Sequence, residues 1–241
     1  MTTHHADAPT PAPAAVPASL AVLSDLQGQF LATIPAVDPT TRVPWCGRWR
    51  VKDLVVHVAR IHHWAAGQAR RTEETPLGRG PFVLTDLYGS CAAELRETLA
   101  ELGPDARSWT LLGEGPASFW HRRQTHETLV HLWDLRTAGG LDLAVDPVVW
   151  ADTVDEVVTV MQPRQERMGR MEPLPAPVAL HATDADRTWS LGGPAAPAVH
   201  VTGRARDLAL LLWGRRSPDD GLRVDGDRAA LDDTLSRRLT P

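Results

Sequence analysis

Cysteine is scarce in this chain of 241 residues: Cys46 and Cys91 are its two thiols. They are too few and too unpatterned for a disulfide framework, so a reducing cytoplasm is the expected compartment. Clustered positive charge is missing too. With 25 Lys+Arg against 30 Asp+Glu and a formal net charge of -5, no dense basic block is available to neutralise phosphates, and a nucleic-acid partner is not expected. Long apolar runs are absent. The nearest, Leu208 to Trp213, falls far short of the roughly 20 residues that a transmembrane helix needs, so no membrane partner is expected either. The opening residues have neither the basic n-region nor the continuous apolar stretch of a signal peptide. Residues 1–18, rich in Ala and Pro, read as a disordered tail, and His4 and His5 on it are set aside as metal ligands.

Apolar side chains are plentiful. At 43% they suffice to bury a core in one large domain or two small ones. Leu20, Leu23, Leu26, Phe30, Leu31 and Ile34 recur near helical spacing and predict a first helix that Pro35 ends. A second should run from about Arg50 to Arg70, with Val51, Leu54, Val55, Val58, His62 and Ala65 on one face. The third spans Leu84 to Leu102 and stops at Gly103-Pro104; the fourth spans Ala117 to Thr137 and stops at Gly139-Gly140. Four amphipathic helices of this length form a bundle, whose interior can draw ligands from facing helices.

Beyond Gly140 the texture changes. Asp146-Pro147 is an N-cap followed by proline at the first helical position, and the helix it opens should continue to about Arg167. Short β-like runs follow at Val178–Ala182, Thr188–Leu191 and Ala198–Thr202, then a helix at Ala205–Arg215, a strand-like Leu222–Val224 and a last helix after Asp227. The expected fold is therefore α plus α+β: a tail at 1–18, a four-helix bundle at 19–140 and a small α+β domain at 141–241.

Within the fourth helix, Glu127 and His131 stand four apart. Each helical residue advances about 100°, so an i, i+4 pair shares one face and can close on one ion. His126, five before His131, is turned about 140° away and is an unsuitable ligand. The zinc-protease pattern His-Glu-x-x-His pairs histidines four apart; here the pair is glutamate plus histidine, and a third ligand must come from elsewhere. His57, mid-way along the second helix, is the best candidate, while of His62 and His63 at least one should face solvent and His121 lies too far from Glu127 to share its turn. Two imidazoles and a carboxylate suit Zn²⁺ with an open fourth position, although other divalent metals fit. The plain alternative is a surface Glu/His pair and a satisfied core histidine. Asp134, seven residues after Glu127, could be a fourth ligand, an acceptor orienting an imidazole, or a partner for Arg123 or Arg136; the orienting or structural roles are favoured. Trp120, Trp133 and Trp213 read as core or domain-interface packing.

The run Trp49-Arg50-Val51-Lys52-Asp53-Leu54-Val55-Val56-His57-Val58, with His126-Glu127-Thr128-Leu129-Val130-His131-Leu132-Trp133-Asp134, resembles the mycothiol-dependent maleylpyruvate isomerase family. So does the second half, in His181-Ala182-Thr183-Asp184, Trp189, Asp207-Leu208-Ala209-Leu210-Leu211-Leu212-Trp213-Gly214-Arg215 and Val224-Asp225-Gly226-Asp227. The resemblance implies that the first domain is a DinB-like bundle, that His57, Glu127 and His131 hold a divalent metal, most simply Zn²⁺, and that Arg215 is the active-site arginine. One departure stands out. Members commonly enter the second helix through a Cys-Pro-Gly-Trp-Thr-like segment, whereas this chain has Pro44-Trp45-Cys46-Gly47-Arg48-Trp49-Arg50. Arg50 cannot cap as a threonine would, so packing of Trp45 and Trp49 is expected to hold the helix start, and Cys46 is not read as a catalytic thiol.

The implied activity is metal-dependent and uses mycothiol as thiol cosubstrate toward a small-molecule electrophile. The thiolate adds to an activated double bond, and either cis-trans isomerisation of a maleylpyruvate-type substrate or S-transfer follows, with Arg215 fixing a carboxylate or enolate through bidentate hydrogen bonds. The alternatives are a metal-dependent hydrolase using bound water, with Glu127 or Asp134 handling the proton, and a non-catalytic DinB-like binding protein. A monomer or small homo-oligomer is expected.

Overall fold

The structure, a computed structural model, describes residues 20–241; the expected tail at 1–18 lies outside the described residues. Helices α1 (Leu20–Thr33), α2 (Val51–Arg70), α3 (Leu84–Leu102) and α4 (Ser118–Ala138) are the four that the apolar spacing predicts. On α2, Val51, Leu54, Val55, Val58, Ala59, Ala65, Ala66 and Ala69 are all buried, so the face turned inward has the period of the helix. α4 behaves differently. Gln124, Thr125, His126, Thr128, His131 and Asp134 are buried along with its leucines, because α1, α2 and α5 surround it. Polar groups buried at that depth need partners, and those partners build the site.

The start of α2 is secured by hydrogen bonds rather than by the expected tryptophan packing. Asp53 accepts from the Arg50 backbone N–H at 2.8 Å, while the N–H groups of Val51 and Lys52 donate to the carbonyls of Thr41 and Pro39 at 2.9 and 3.0 Å. The preceding loop thus satisfies donors that a helix start otherwise leaves orphaned. Trp45 is 45% exposed and contributes little there; Trp49 turns inward instead and lies with its ring 4.7 Å from that of His57.

Between α3 and α4 runs a short hairpin that the pattern reading missed: β1 (Arg107–Thr110) and β2 (Gly113–Pro116), paired antiparallel. Its strands are four residues each, and the second, Gly-Glu-Gly-Pro, has no alternation to read.

The second half opens with α5 (Pro147–Glu156), capped as expected by the Asp146 side chain, which accepts from the Val148 N–H. The helix does not run smoothly to Arg167. Residues Val157–Met161 widen into a π turn before α6 (Gln162–Arg167), a type of irregularity often found at functional sites. Strands β3 (Val178–Ala182), β4 (Arg187–Leu191), β5 (Val199–Gly203) and β6 (Arg223–Gly226) form one sheet in the order β4-β3-β5-β6, with β3 and β5 parallel and the other pairs antiparallel. Helix α7 (Ala205–Leu212) packs on the sheet and against α5, and α8 (Arg228–Ser236) closes the fold. A continuous apolar core runs from Leu26 on α1 through Leu129 and Leu132 on α4 to Leu208 and Leu231.

The end of α7 matters most for the site. The sequence pattern predicts a helix to Arg215, but the helix stops at Leu212. Gly214 takes φ +67, its N–H bonds the Leu211 carbonyl at 3.0 Å, and the Arg215 N–H bonds the Leu210 carbonyl at 2.7 Å. This is the Schellman arrangement, in which a left-handed residue reverses the chain. Arg215 therefore lies past the helix, redirected toward α4, and is not a solvated helix end.

Candidate metal centre

His57 from α2 and Glu127 and His131 from α4 converge: one donor atom from each lies within 4.8 Å of the other two. Glu127 Oε1 is 3.3 Å from His57 Nε2 and 3.3 Å from His131 Nε2. The i, i+4 geometry and the facing helix thus bring the three predicted residues together. His126 points elsewhere, with Nε2 3.0 Å from Asp152 and Nδ1 3.0 Å from Glu156 on α5. Of the other histidines, His62 is buried and its Nδ1 meets the Gln124 side chain at 2.7 Å. His63 lies between Glu94 at 2.6 Å and the Thr75 carbonyl at 2.7 Å. Of this pair His62 is buried, while His63 keeps part of its side chain exposed beside Glu94 and the loop after α2.

Two members of the trio, His131 and Glu127, are held from behind. Asp134 accepts from His131 Nδ1 at 2.9 Å, the hydrogen bond that fixes a tautomer and aims the other ring nitrogen forward. Asp134 is fully buried and also accepts from Arg215 Nη2 at 3.0 Å and Nε at 3.3 Å. Its favoured role as an orienting acceptor fits this geometry, while Arg136 bonds Thr33 and the Asp142 carbonyl instead. Glu127 Oε2 accepts from Arg123 Nη2 at 2.6 Å, so only Oε1 faces the histidines. Arg123 is in turn bonded to Glu156, which is fully buried on α5. Sequence reasoning missed this Glu127–Arg123–Glu156 chain. Half of it is an i, i+4 pair on one helix, Arg123 and Glu127, and could have been found; Glu156 could not, because it comes from the other half of the chain.

The electrostatics show what the trio is suited to hold. Burial would raise the Glu127 carboxyl, but hydrogen bonds from His131 and His57 and the charge of Arg123 hold it well below the usual carboxylate range. Burial likewise disfavours a charged His131, yet its bonds to Asp134 and Glu127 raise it to about 9. With Nδ1–H given to Asp134, a neutral His131 would turn an Nε2 lone pair toward a carboxylate oxygen 3.3 Å away. Two acceptors at that distance call for positive charge between them, either a proton or a metal cation. Two imidazole nitrogens and one carboxylate oxygen are a donor set that zinc and other divalent ions accept, so the residues fit such an ion.

The trio opens onto a cavity of about 530 Å³ that Trp49, Trp213, Arg123 and Arg215 also line. Two guanidinium groups lie over the Trp213 ring, those of Arg123 at 5.4 Å and Arg215 at 5.9 Å from its centre. Arg215 is more committed than the sequence suggests. Beyond its two bonds to Asp134, Nη2 contacts Cys46 Sγ at 3.6 Å and Nη1 donates to the Trp213 carbonyl at 2.6 Å. A guanidinium has five N–H donors, so one on Nη1 is left, and the expected bidentate grip on a substrate carboxylate is closed in this arrangement. Cys46 is similarly occupied. Burial and the adjacent Asp134 push its thiol up to about 12 despite the opposing charge of Arg215. At pH 8 on the order of one molecule in 10⁴ would carry the thiolate. Cys46 is accordingly expected to resist iodoacetamide at pH 8 in the native protein and to react once the protein is unfolded in urea, as read by peptide mapping; native labelling at the urea rate would contradict this.

Two family models match consecutive stretches of the chain. The Mycothiol maleylpyruvate isomerase N-terminal domain matches residues 20–136, and the MDMPI C-terminal domain matches residues 148–233. Among solved structures, the crystal structure of the mycothiol-dependent maleylpyruvate isomerase is similar with a TM-score of 0.63 and 18% identity, over 86% of this chain and 92% of that one. A mutant of that enzyme with one histidine changed to alanine is similar with a TM-score of 0.62 and 19% identity over the same shares. At such identities the likeness is one of fold. Two uncharacterized proteins, from two strains of Mycobacterium tuberculosis, are each 31% identical over 107 residues, which is 42% of this chain and 56% of each relative. The matched stretch spans about half the length of these curated relatives.

Proposed function

The chain belongs to the mycothiol maleylpyruvate isomerase family, and from that premise we propose that it is a mycothiol-using enzyme, an isomerase or S-transferase, that holds a divalent metal ion at His57, Glu127 and His131. The observation that carries this reading is the convergence of the three donors on one side of a cavity, with Asp134 behind His131 and Arg123 behind Glu127. A divalent ion with an open position would supply the Lewis acidity that keeps a thiol as thiolate near neutral pH. Zn²⁺ is the simplest choice for this donor set.

The rest follows from the thiol and from this chain's side chains. Sulfur adds to one carbon of an alkene conjugated to a carbonyl, and the alkene's electron pair moves onto that carbonyl as an enolate. The former double bond, now single, rotates. Collapse of the enolate expels the thiolate and restores the alkene in its trans form, with no net change in atoms. If the enolate carbon takes up a proton first, the thioether is the product and the reaction is S-transfer. Arg123 keeps Glu127 anionic and single-pronged, Asp134 keeps His131 Nε2 turned inward, and the aromatic wall of Trp49 and Trp213 limits water around the enolate.

The test is turnover of maleylpyruvate by the purified protein, followed by absorbance, with and without mycothiol. Isomerisation, or consumption of thiol with a thioether product, is expected only when mycothiol is present. Turnover at the same rate without thiol, or none with it, would remove the proposal.

A further inference from the structure

Resting on the reading of this cavity as the substrate site, the question left open by Arg215 is what holds the substrate's negative charge. Among the described side chains lining the cavity, Arg123, Arg164, Arg170 and Arg215 are arginines and Glu127 is the one carboxylate. Arg123 is neutralised by Glu127 and Glu156, and Arg215 by Asp134. Arg164 and Arg170 differ. Arg164, on α6, donates from Nε to the Leu111 carbonyl at 3.2 Å, and neither it nor Arg170, on the turn after α6, has an ion pair with any carboxylate among the described residues. Burial and the charges of Arg170 and Arg167 act together to lower the pKa of Arg164. A partly buried cation thus has like charge beside it, and among the described residues its terminal nitrogens have no hydrogen-bond partner.

We propose that Arg164, assisted by Arg170, is the anchor for a carboxylate of the electrophilic substrate, and that Arg215 serves as a positioning residue through Asp134. Arg164 offers the planar fork that grips a carboxylate with two parallel bonds. An anion there also relieves the repulsion between Arg164 and Arg170, the two arginines of this group that line the cavity. The π turn at Val157–Met161 directly precedes α6, and Met161 at its end lines the same cavity.

Calorimetric titration of the full chain with maleate, a dianionic cis-alkene, tests the assignment. Arg164→Gln is expected to weaken maleate binding at least about 10-fold, with Arg164→Lys recovering part of it. Arg167→Gln, at an exposed residue outside the cavity lining, should change it little, and binding of the uncharged dimethyl ester should not depend on Arg164. Equal maleate binding by wild type and Arg164→Gln, an equal loss in Arg167→Gln, or no binding by wild type would each overturn the anchor. The wider reading fails separately. Arginine-dependent maleate binding without mycothiol-dependent turnover would sink the proposed reaction alone, and thiol-dependent turnover indifferent to Arg164 would sink the anchor alone.

Discussion

Asp134→Ala is expected to weaken divalent-metal binding by about 10–100-fold, the usual cost of removing a group that orients a metal-ligating histidine. The reason is the 2.9 Å bond to His131 Nδ1. Without it the imidazole loses both its tautomer and its rotational position. The same substitution strips Arg215 of its carboxylate, and a half-made buried ion pair costs about 3–5 kcal/mol. Asp134→Asn should fall between, because an amide oxygen can still accept from Nδ1 but carries no charge for Arg215. Competition with a chromogenic chelator gives the affinity and urea melts give the stability. Wild-type metal affinity in Asp134→Ala would mean that His131 is held by packing alone.

Glu156→Leu is the second substitution with a large expected effect, a loss of about 3–5 kcal/mol in unfolding free energy. Glu156 is fully buried, binds Arg123 and lies 3.0 Å from His126 Nδ1. Its removal leaves two basic groups in the interior with one acidic partner each, Glu127 for Arg123 and Asp152 for His126. Adding Arg123→Met to Glu156→Leu should cost less than the two single losses summed, because both single variants lose the same Arg123–Glu156 ion pair. A change within about 0.5 kcal/mol in Glu156→Leu, the range of an ordinary surface substitution, would show that the pair contributes nothing net. The link also reaches the site, since Arg123 is what turns Glu127 Oε2 away from the histidines.

Those two networks also mark the limit of what the sequence discloses. Regular spacing made α2 and α3 legible to within a residue or so, since burial of one face imposes a period, while Gly139-Gly140 marked the end of α4, which is buried on several sides. It also placed Glu127 and His131 on one face, because i, i+4 is a property of the helix alone. His57 needed a facing helix, and spacing could only nominate it. Three features stayed hidden. The β1–β2 hairpin is too short and too rich in glycine to alternate. The π turn at Val157–Met161 leaves the apolar pattern of α5 unbroken. The stop at Leu212 depends on Gly214 adopting a left-handed conformation that Leu-Trp-Gly-Arg-Arg permits but does not require. Hence Arg215 could be named from the sequence, but not its engagement with Asp134, Trp213 and Cys46. Glu156 could not be named at all, since it lies 33 residues from its partner Arg123.

The metal content of the purified protein bears most directly on the central claim. Wild type, freed of loosely held ions by dialysis, should retain one divalent metal per chain, and Glu127→Ala, which removes the donor shared by both histidines, should retain essentially none while keeping the helical circular dichroism of the wild type. Stoichiometric metal in Glu127→Ala would contradict the account.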